Sequence, residues 1–502
     1  MAILHKLPTK KKTIRSFRKS SVMIKIYIDT DVAYNNFDYE ARTLIKAFYP
    51  KRTITMEECD AFMQVNIVCK ENLLKISFYD SEDKLILEDS KDYVDIKSTL
   101  DRLLYDMLVR ITGNEQPWGM LTGVRPAKLA YAALEQKKNP KEVVAYLMDN
   151  YRVSERKAVL ALEVATNEQR VLEGIDYENG YSLYIGIPFC PTTCLYCSFT
   201  SYPLALYSKL VDEYLNALLK EMEYVANAFA KRKPDTVYIG GGTPTTLSPQ
   251  QLDLLLTNLF AKFDLKDVKE FTVEAGRPDS ITKEKLLVLK KHGIDRISIN
   301  PQTMKQETLD IIGRRHTVKD VLDAFALARE CGFENINMDL IVGLPNEDIS
   351  DVEATMNIVK GLKPDSVTVH SLAIKRAAAL NMFKDKYKEL SINNTNEIMN
   401  LTYDYAKSMG LEPYYMYRQK NIAGNFENVG YARPKSEGIY NILIMEEKQT
   451  IIALGAGAST KMILKDGRIE RVENVKDVKN YIERIDEMIE RKRQAFTEYN
   501  VV

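Results

Sequence analysis

Residues 187–199 read IPFCPTTCLYCSF and hold three of the chain's six cysteines, Cys190, Cys194 and Cys197. Clustered thiols in a protein without disulfide-type cysteine usage point to metal binding. Structural zinc takes four tetrahedral ligands. The four histidines, His5, His292, His316 and His370, all lie far from this stretch in sequence. A zinc site would therefore need a distant histidine or carboxylate. Iron–sulfur cubanes are normally held by four thiolates. Three thiolates on one short loop would leave a single iron open to a substrate or cosubstrate, as catalytic metal sites leave a position free. Cys59, Cys69 and Cys331 are isolated and read as structural, Cys331 as a small hydrophobe ending a helix.

A second polar constellation follows the cysteines. GGGTPT at 240–245 places consecutive glycines after a strand-like run, where backbone N–H groups can approach a charged ligand closely. Glu274, Gln302, Arg314 and Asp339 sit in or just beyond apolar, strand-like runs. A carboxylate in such a setting is costly to bury without a partner, so together they favour a polar ligand.

The elements that must position these residues alternate. SLYIGI, DTVYIGG, EFTVEA, IDRISI, NINMDLIV and SVTVHSL are strand-like, and each of the first five precedes an amphipathic, helix-like run. Consecutive βα units require a parallel sheet. Six units rather than eight predict an open, partial (β/α)6 barrel over 179–410. Its chemistry belongs at the carboxyl ends of its strands, where the polar residues fall. Residues 23–178 are expected to form a separate N-terminal α/β domain, from MIKIYID, MQVNIVC, LLKISFYD and KLILED followed by four helical patterns. Residues 411–502 read as a C-terminal α+β extension. There GIYNILIMEEKQTIIALGAGASTKMIL looks like strands broken by glycines, and VKDVKNYIERIDEMIERKRQAF like a charged helix. Residues 1–22 form a basic arm expected to be disordered and to precede the natural start.

Lys and Arg total 70 and Asp and Glu 70, so overall charge gives no argument for nucleic acid. No stretch reaches the roughly 18 apolar residues of a membrane span. Without a secretory signal the expected location is the cytoplasm.

The C-x-x-x-C-x-x-C loop after the first barrel strand resembles the signature of radical S-adenosylmethionine (SAM) enzymes. The resemblance implies a [4Fe-4S] cluster on Cys190, Cys194 and Cys197, with SAM on the open iron as the source of a 5′-deoxyadenosyl radical. From about 180 to 375 the order YIGIPFC, GGGTPT, VEAGRPDS, RISINPQT, GRRHT and NMDLIVGLP is similar to the anaerobic coproporphyrinogen oxidase group. PWGMLTGVRPAKLAYAALEQ and the C-terminal segments resemble its HemZ-type branch. Carried over, Tyr184 and Tyr196 border the cluster and cosubstrate. Gly241, Gly242 and Thr243 contact the methionine part of SAM, and Glu274, Gln302, Arg314, Asp339 and Ala373 complete its site. The activity implied is oxygen-independent decarboxylation of coproporphyrinogen III, with an electron donor such as flavodoxin or ferredoxin. Four substrate carboxylates call for basic residues, for which Arg315, Lys375, Arg376, Arg418 and Lys420 are candidates. The sequence departs from the well-understood dehydrogenases at Phe199, where they carry a fourth cysteine. The C-x-F ending resembles the haem-chaperone branch, in which His370 and His316 would be the first ligands to consider. A haem-modifying radical methyltransferase is a further alternative.

Overall fold

A computed structural model of the chain describes residues 22–32, 37–123, 125–198, 201–373, 378–382, 389–418 and 425–501. Phe199, Lys375, Arg376, Lys420 and all of the basic arm except Val22 lie outside these residues. The described residues fall into two compact units, one within Met1–Thr122 plus Met148–Ser154, the other Gly123–Leu147 plus Glu155–Val502.

The first unit carries a five-stranded sheet ordered Thr53–Thr55, Met23–Thr30, Met63–Lys70, Leu73–Asp80, Leu85–Asp92. Met23–Thr30 pairs in parallel with both neighbours, and the remaining pairs are antiparallel. Strict alternation buries Met63, Val65, Ile67 and Cys69 while their neighbours stay at the surface. The edge strand LILEDSKD is charged and mostly exposed, which discourages pairing with another chain. Two helices cover the sheet's apolar side, Phe37–Phe48 and Ile96–Thr112. The second is capped by the Asp95 carboxylate, which accepts from Ser98 N–H, and ends at Gly113 in the left-handed conformation. The short strand Thr53–Thr55 and the Phe37–Phe48 helix are not among the sequence-predicted elements. The helices Ala127–Glu135 and Glu155–Val171 group with the second unit, so the domain break falls earlier than the expected residue 178.

The second unit is built on an eleven-stranded sheet, whose strands are numbered here from β1. They are β1 Tyr181–Ile187, β2 Pro234–Gly241, β3 Glu270–Gly276, β4 Arg296–Ile299, β5 Asn335–Val342, β6 Ser366–Ser371, β7 Glu412–Tyr417, β8 Asn428–Ala432, β9 Ile451–Leu454, β10 Ser459–Ile463 and β11 Ile469–Glu473. Strands β1 to β6 are parallel neighbours in chain order, with helices in each connection. They read as near-continuous apolar runs because both faces are covered. Leu183, Ile185 and Ile187 are fully buried, each contributing roughly 2 kcal/mol through removal from water.

The C-terminal segment extends this same sheet at both edges. β8 lies antiparallel on β6, and β7 on β8. β9 lies parallel on β1, followed by the antiparallel β10 and β11. No described pairing joins β7 to β11, so the sheet stays open. One expectation is corrected: Ile439–Glu446 is a helix, not a strand, burying Tyr440, Ile442 and Leu443. A run of eight residues, mostly apolar, is compatible with either state, and here Gly438 opens the helix and Glu447 closes it at φ 51°. Cys69 is fully buried as expected, whereas Cys331 is only half-buried.

Candidate functional site

β1 delivers the chain through Pro188 to the two-residue strand Phe189–Cys190, which pairs in parallel with Tyr202–Pro203. Phe189 is buried edge-on against Tyr214, ring centroids 5.3 Å apart. The loop beyond is pinned from the β4 side. Leu195 N–H donates to the Ile312 carbonyl at 3.0 Å, and Thr192 Oγ1 to the Gly313 carbonyl at 3.0 Å. Cys194 is buried, and Cys190 and Cys197 are half-buried. Burial pushes the Cys190 thiol up to about 11, against which the Thr243 hydroxyl, 3.6 Å from its sulfur, pulls down. A coordinated metal reverses that balance by stabilising the thiolate.

The GGGTPT turn holds this loop from the other side. Gly242 N–H donates to the Ile187 carbonyl at 2.8 Å, and Thr243 N–H to the Phe189 carbonyl at 2.7 Å. A Cβ at Gly242 would stand 2.6 Å from the Phe189 carbonyl oxygen, and Gly241 has φ +105°, so both positions need glycine. Gly241 N–H is bonded to Glu274. Of the N–H groups expected to face a ligand, those of Gly242 and Thr243 are engaged inside the protein, where they fasten β2 to the cysteine strand.

A cavity of about 340 Å³ opens at the carboxyl ends of the parallel strands. Its polar wall includes Glu274, Ser298, Asn337, Asp339, Thr368 and His370, one or two from each of β3 to β6. In-register parallel pairing sets Glu274 beside Ser298 and Asp339 beside Thr368. Glu274 accepts from Tyr238 Oη at 2.5 Å. Burial raises its carboxyl from an ordinary 4.5 to about 7. Burial would raise Asp339 too. His370, then Asn337 and Thr368, outweigh it and hold the carboxyl below its ordinary value. Asn337 Nδ2 donates to Asp339 at 2.7 Å, and His370 Nε2 stands 3.9 Å away. Gln302 adopts φ +70° and bridges to β5, donating to the Asp339 carbonyl at 3.0 Å and accepting from Ile341 N–H at 2.9 Å. Its side-chain oxygen is buried without a hydrogen-bond partner, as is Ser298 Oγ.

Of the sequence-predicted residues, Cys197, Tyr196, Glu274, Gln302, Asp339 and Ala373 line this cavity. Cys190, Cys194, Gly241, Gly242 and Thr243 form the adjoining scaffold. A Cβ at Gly241 would stand 3.0 Å from the Tyr184 hydroxyl, which places that phenol against the turn. Arg314 is buried and donates to the Asn300 carbonyl, with Tyr196 Oη at 3.5 Å. Burial would lower its guanidinium, but Tyr196 and Cys194 outweigh that and raise it.

The proposed substrate cations fare differently. Arg315 is exposed and off the cavity lining. Arg418 is buried, donates to the Asn425 carbonyl at 2.9 Å, and is also off the lining. Burial lowers its guanidinium to about 10. His370 faces the cavity, whereas His316 is buried elsewhere and is pushed down to about 4 by burial. Arg125 donates to the Met445 carbonyl at 2.7 Å and pairs with Glu447 at 2.9 Å, behind a residue of the cavity wall.

Sequence reasoning missed Tyr238, Ser298, Asn337 and Arg277 as site residues. A signal exists for three of them: polar residues two apart in otherwise apolar strands, such as Asn337 with Asp339, share one face.

Comparison with known proteins gives a consistent result. The model of the radical SAM superfamily matches residues 184–359. The chain is 41% identical over 411 residues to the oxygen-independent coproporphyrinogen-III oxidase-like protein HemZ of Bacillus subtilis (strain 168), covering 81% of this chain and 82% of that protein. It is 36% identical over 314 residues to heme chaperone HemW of the same organism, covering 61% and 76%. The fold is similar to that of coproporphyrinogen III oxidase (HemN) from Escherichia coli, with a TM-score of 0.50 at 24% identity over 65% of this chain and 73% of that one.

Proposed function

Because the chain belongs to the radical SAM superfamily, in its group of oxygen-independent coproporphyrinogen-III oxidase-like proteins, we propose that it decarboxylates coproporphyrinogen III oxidatively to protoporphyrinogen IX. The observation that carries this reading is the meeting of Cys197, Glu274, Gln302 and Asp339 in one cavity at the carboxyl ends of parallel strands. The tetrapyrrole itself is taken from the chain's similarity to coproporphyrinogen III oxidase-like proteins.

The residues fit the superfamily's two cofactors. Three cysteines on one anchored loop would hold three irons of a [4Fe-4S] cluster and leave the fourth for SAM. Glu274 and Asp339 offer acceptors for an ammonium and for ribose hydroxyls, Arg314 offers charge for a carboxylate, and Gln302 has an unpartnered buried oxygen. On such residues a bound cluster and SAM would supply a 5′-deoxyadenosyl radical able to remove a hydrogen atom from carbon. Overall, each of two propionates would become a vinyl group, giving a hydrogen atom to deoxyadenosine, one electron to a one-electron acceptor and its carboxylate as carbon dioxide. The chain's own part is orientation and exclusion of water, for which Tyr196 and the apolar wall of Ile341, Leu372 and Met445 are placed. An electron donor such as a flavodoxin or ferredoxin would be required. No described helix is long and apolar enough to cross a membrane.

The test is anaerobic incubation of cluster-loaded protein with dithionite, SAM and coproporphyrinogen III. Mass spectrometry should find the divinyl product together with deoxyadenosine, and Cys194→Ser should yield neither. Deoxyadenosine without a vinyl product would overturn the substrate. The similarity to HemW and the Phe199 ending favour a second reading, haem binding through His370. Stoichiometric haem uptake, lost in His370→Ala, with no porphyrinogen turnover would select it.

A further inference from the structure

Arg277 stands where β3 leaves the sheet. The β3–β4 register shifts between Glu274 and Gly276, and Gly276 takes φ +41°. This irregularity precedes a buried guanidinium, 3% exposed, whose hydrogen bonds go to the cysteine loop and to its own anchor. Nε and Nη2 grip the two carboxylate oxygens of Asp279 at 3.0 and 2.7 Å. Nη1 donates to the carbonyl of Thr192 at 3.1 Å and to its hydroxyl at 2.7 Å, and lies 4.0 Å from Cys194 Sγ. Thr192 sits between the first two cysteines and is itself tied to Gly313.

A buried loop could be fastened by neutral side chains. The hydrogen-bond donor at Cys190 is neutral, the Thr243 hydroxyl. Cys194 instead receives a charge held in place by a bidentate carboxylate, a geometry that arginine's planar fork suits and lysine's ammonium cannot reproduce. In a water-poor site a fixed charge acts strongly on any change of charge nearby. Reduction of an iron–sulfur cluster is such a change. The cluster gains one electron, a low-potential one-electron donor loses it, and no bond forms to the protein.

We infer that Arg277 is a positioning residue for the iron–sulfur site, fixing the chain between Cys190 and Cys194 and holding a positive charge against Cys194 that favours the reduced cluster. Removing the charge makes the cluster harder to reduce. Removing the fork alone loosens the loop and leaves the potential nearly in place.

The test uses full-length, anaerobically reconstituted Arg277→Gln and Arg277→Lys beside the unsubstituted protein. Iron content is measured, and the reduced cluster is followed by electron paramagnetic resonance at electrochemically poised potentials. Arg277→Gln is expected to load iron and to show a reduced-to-oxidised ratio about tenfold lower at a given potential, about 59 mV for one electron. Arg277→Lys should stay within about threefold of the unsubstituted protein, well inside that shift. A Gln variant with full iron and an unchanged ratio overturns the inference. Should the Gln variant take up no iron, the Lys variant decides, and a tenfold loss of ratio there overturns it equally. Neither readout involves a tetrapyrrole, so failure of the decarboxylation reading would leave this one standing.

Discussion

Two buried polar regions of the second unit differ in one respect. Around Glu221 every valence is met. Its Oε1 accepts from Asn474 Nδ2 at 2.8 Å and pairs with Lys492 at 2.8 Å, while its Oε2 accepts from Tyr481 Oη at 2.6 Å and Gly455 N–H at 2.9 Å. Lys492 also donates to Asn474 Oδ1 at 2.8 Å, and both charged side chains are wholly buried. In the cavity, Ser298 Oγ and Gln302 Oε1 are buried and unpartnered. Buried polar groups in folded proteins are normally bonded, so a closed network speaks of structure and open valences beside a cavity speak of a ligand. Glu168 departs from this pattern, as do Tyr181 Oη and both ring nitrogens of His316: its two oxygens lack partners away from the cavity. Burial first, and Glu446 next, push its carboxyl well above the ordinary value.

The contrast can be broken by substitution. The largest effect is expected from Cys194→Ser, which should reduce deoxyadenosine formation to background while leaving the urea unfolding midpoint close to that of the unsubstituted protein. A large fall in midpoint would make the cysteine loop a structural element after all. Lys492→Met should do the opposite, costing about 3–5 kcal/mol because Glu221 is left charged and buried. Adding Glu221→Leu should recover most of that loss, and a single variant as stable as its parent would show the network to be dispensable. Gln302→Met keeps the side chain's length and removes the orphan oxygen. SAM affinity by calorimetry should fall about tenfold, or ~1.4 kcal/mol, with no loss of stability; unchanged affinity would return Gln302 to a purely structural role.

The last effect is a pH slope. Glu274 titrates near 7 in the folded chain against an ordinary 4.5. The folded state therefore keeps a proton that the unfolded state releases between those values. Its contribution to stability is complete below pH 4.5 and is lost as pH rises through 7. Glu274→Gln should flatten the urea midpoint over that interval, and an unaltered slope would mean that water in the cavity already solvates the carboxylate.

The six barrel strands were legible because apolar runs bounded by turn residues recur at βα spacing, and the cysteine loop was legible because its spacing is local. What escaped depends on pairing. Asn337 becomes a site residue only through sharing a face with Asp339, and Arg277 only through a register shift that turns it toward Thr192. Lys492 lies in a helix that reads as charged and amphipathic, yet it is itself fully buried against Glu221. Ile439–Glu446 was read as a strand because a short apolar run carries no decisive period. The substrate cations drawn from charge alone, Arg315 and Arg418, fall off the cavity because a basic residue near a site in sequence has no fixed direction in space.

The parallel pairing of β9 with β1 has a consequence for biosynthesis. The strand that feeds the cysteine loop keeps an unpaired edge until residues 451–454 have left the ribosome. Parallel contacts between such distant segments form late in folding. A nascent chain stalled before residue 451 would therefore present its thiols beside an unfinished sheet.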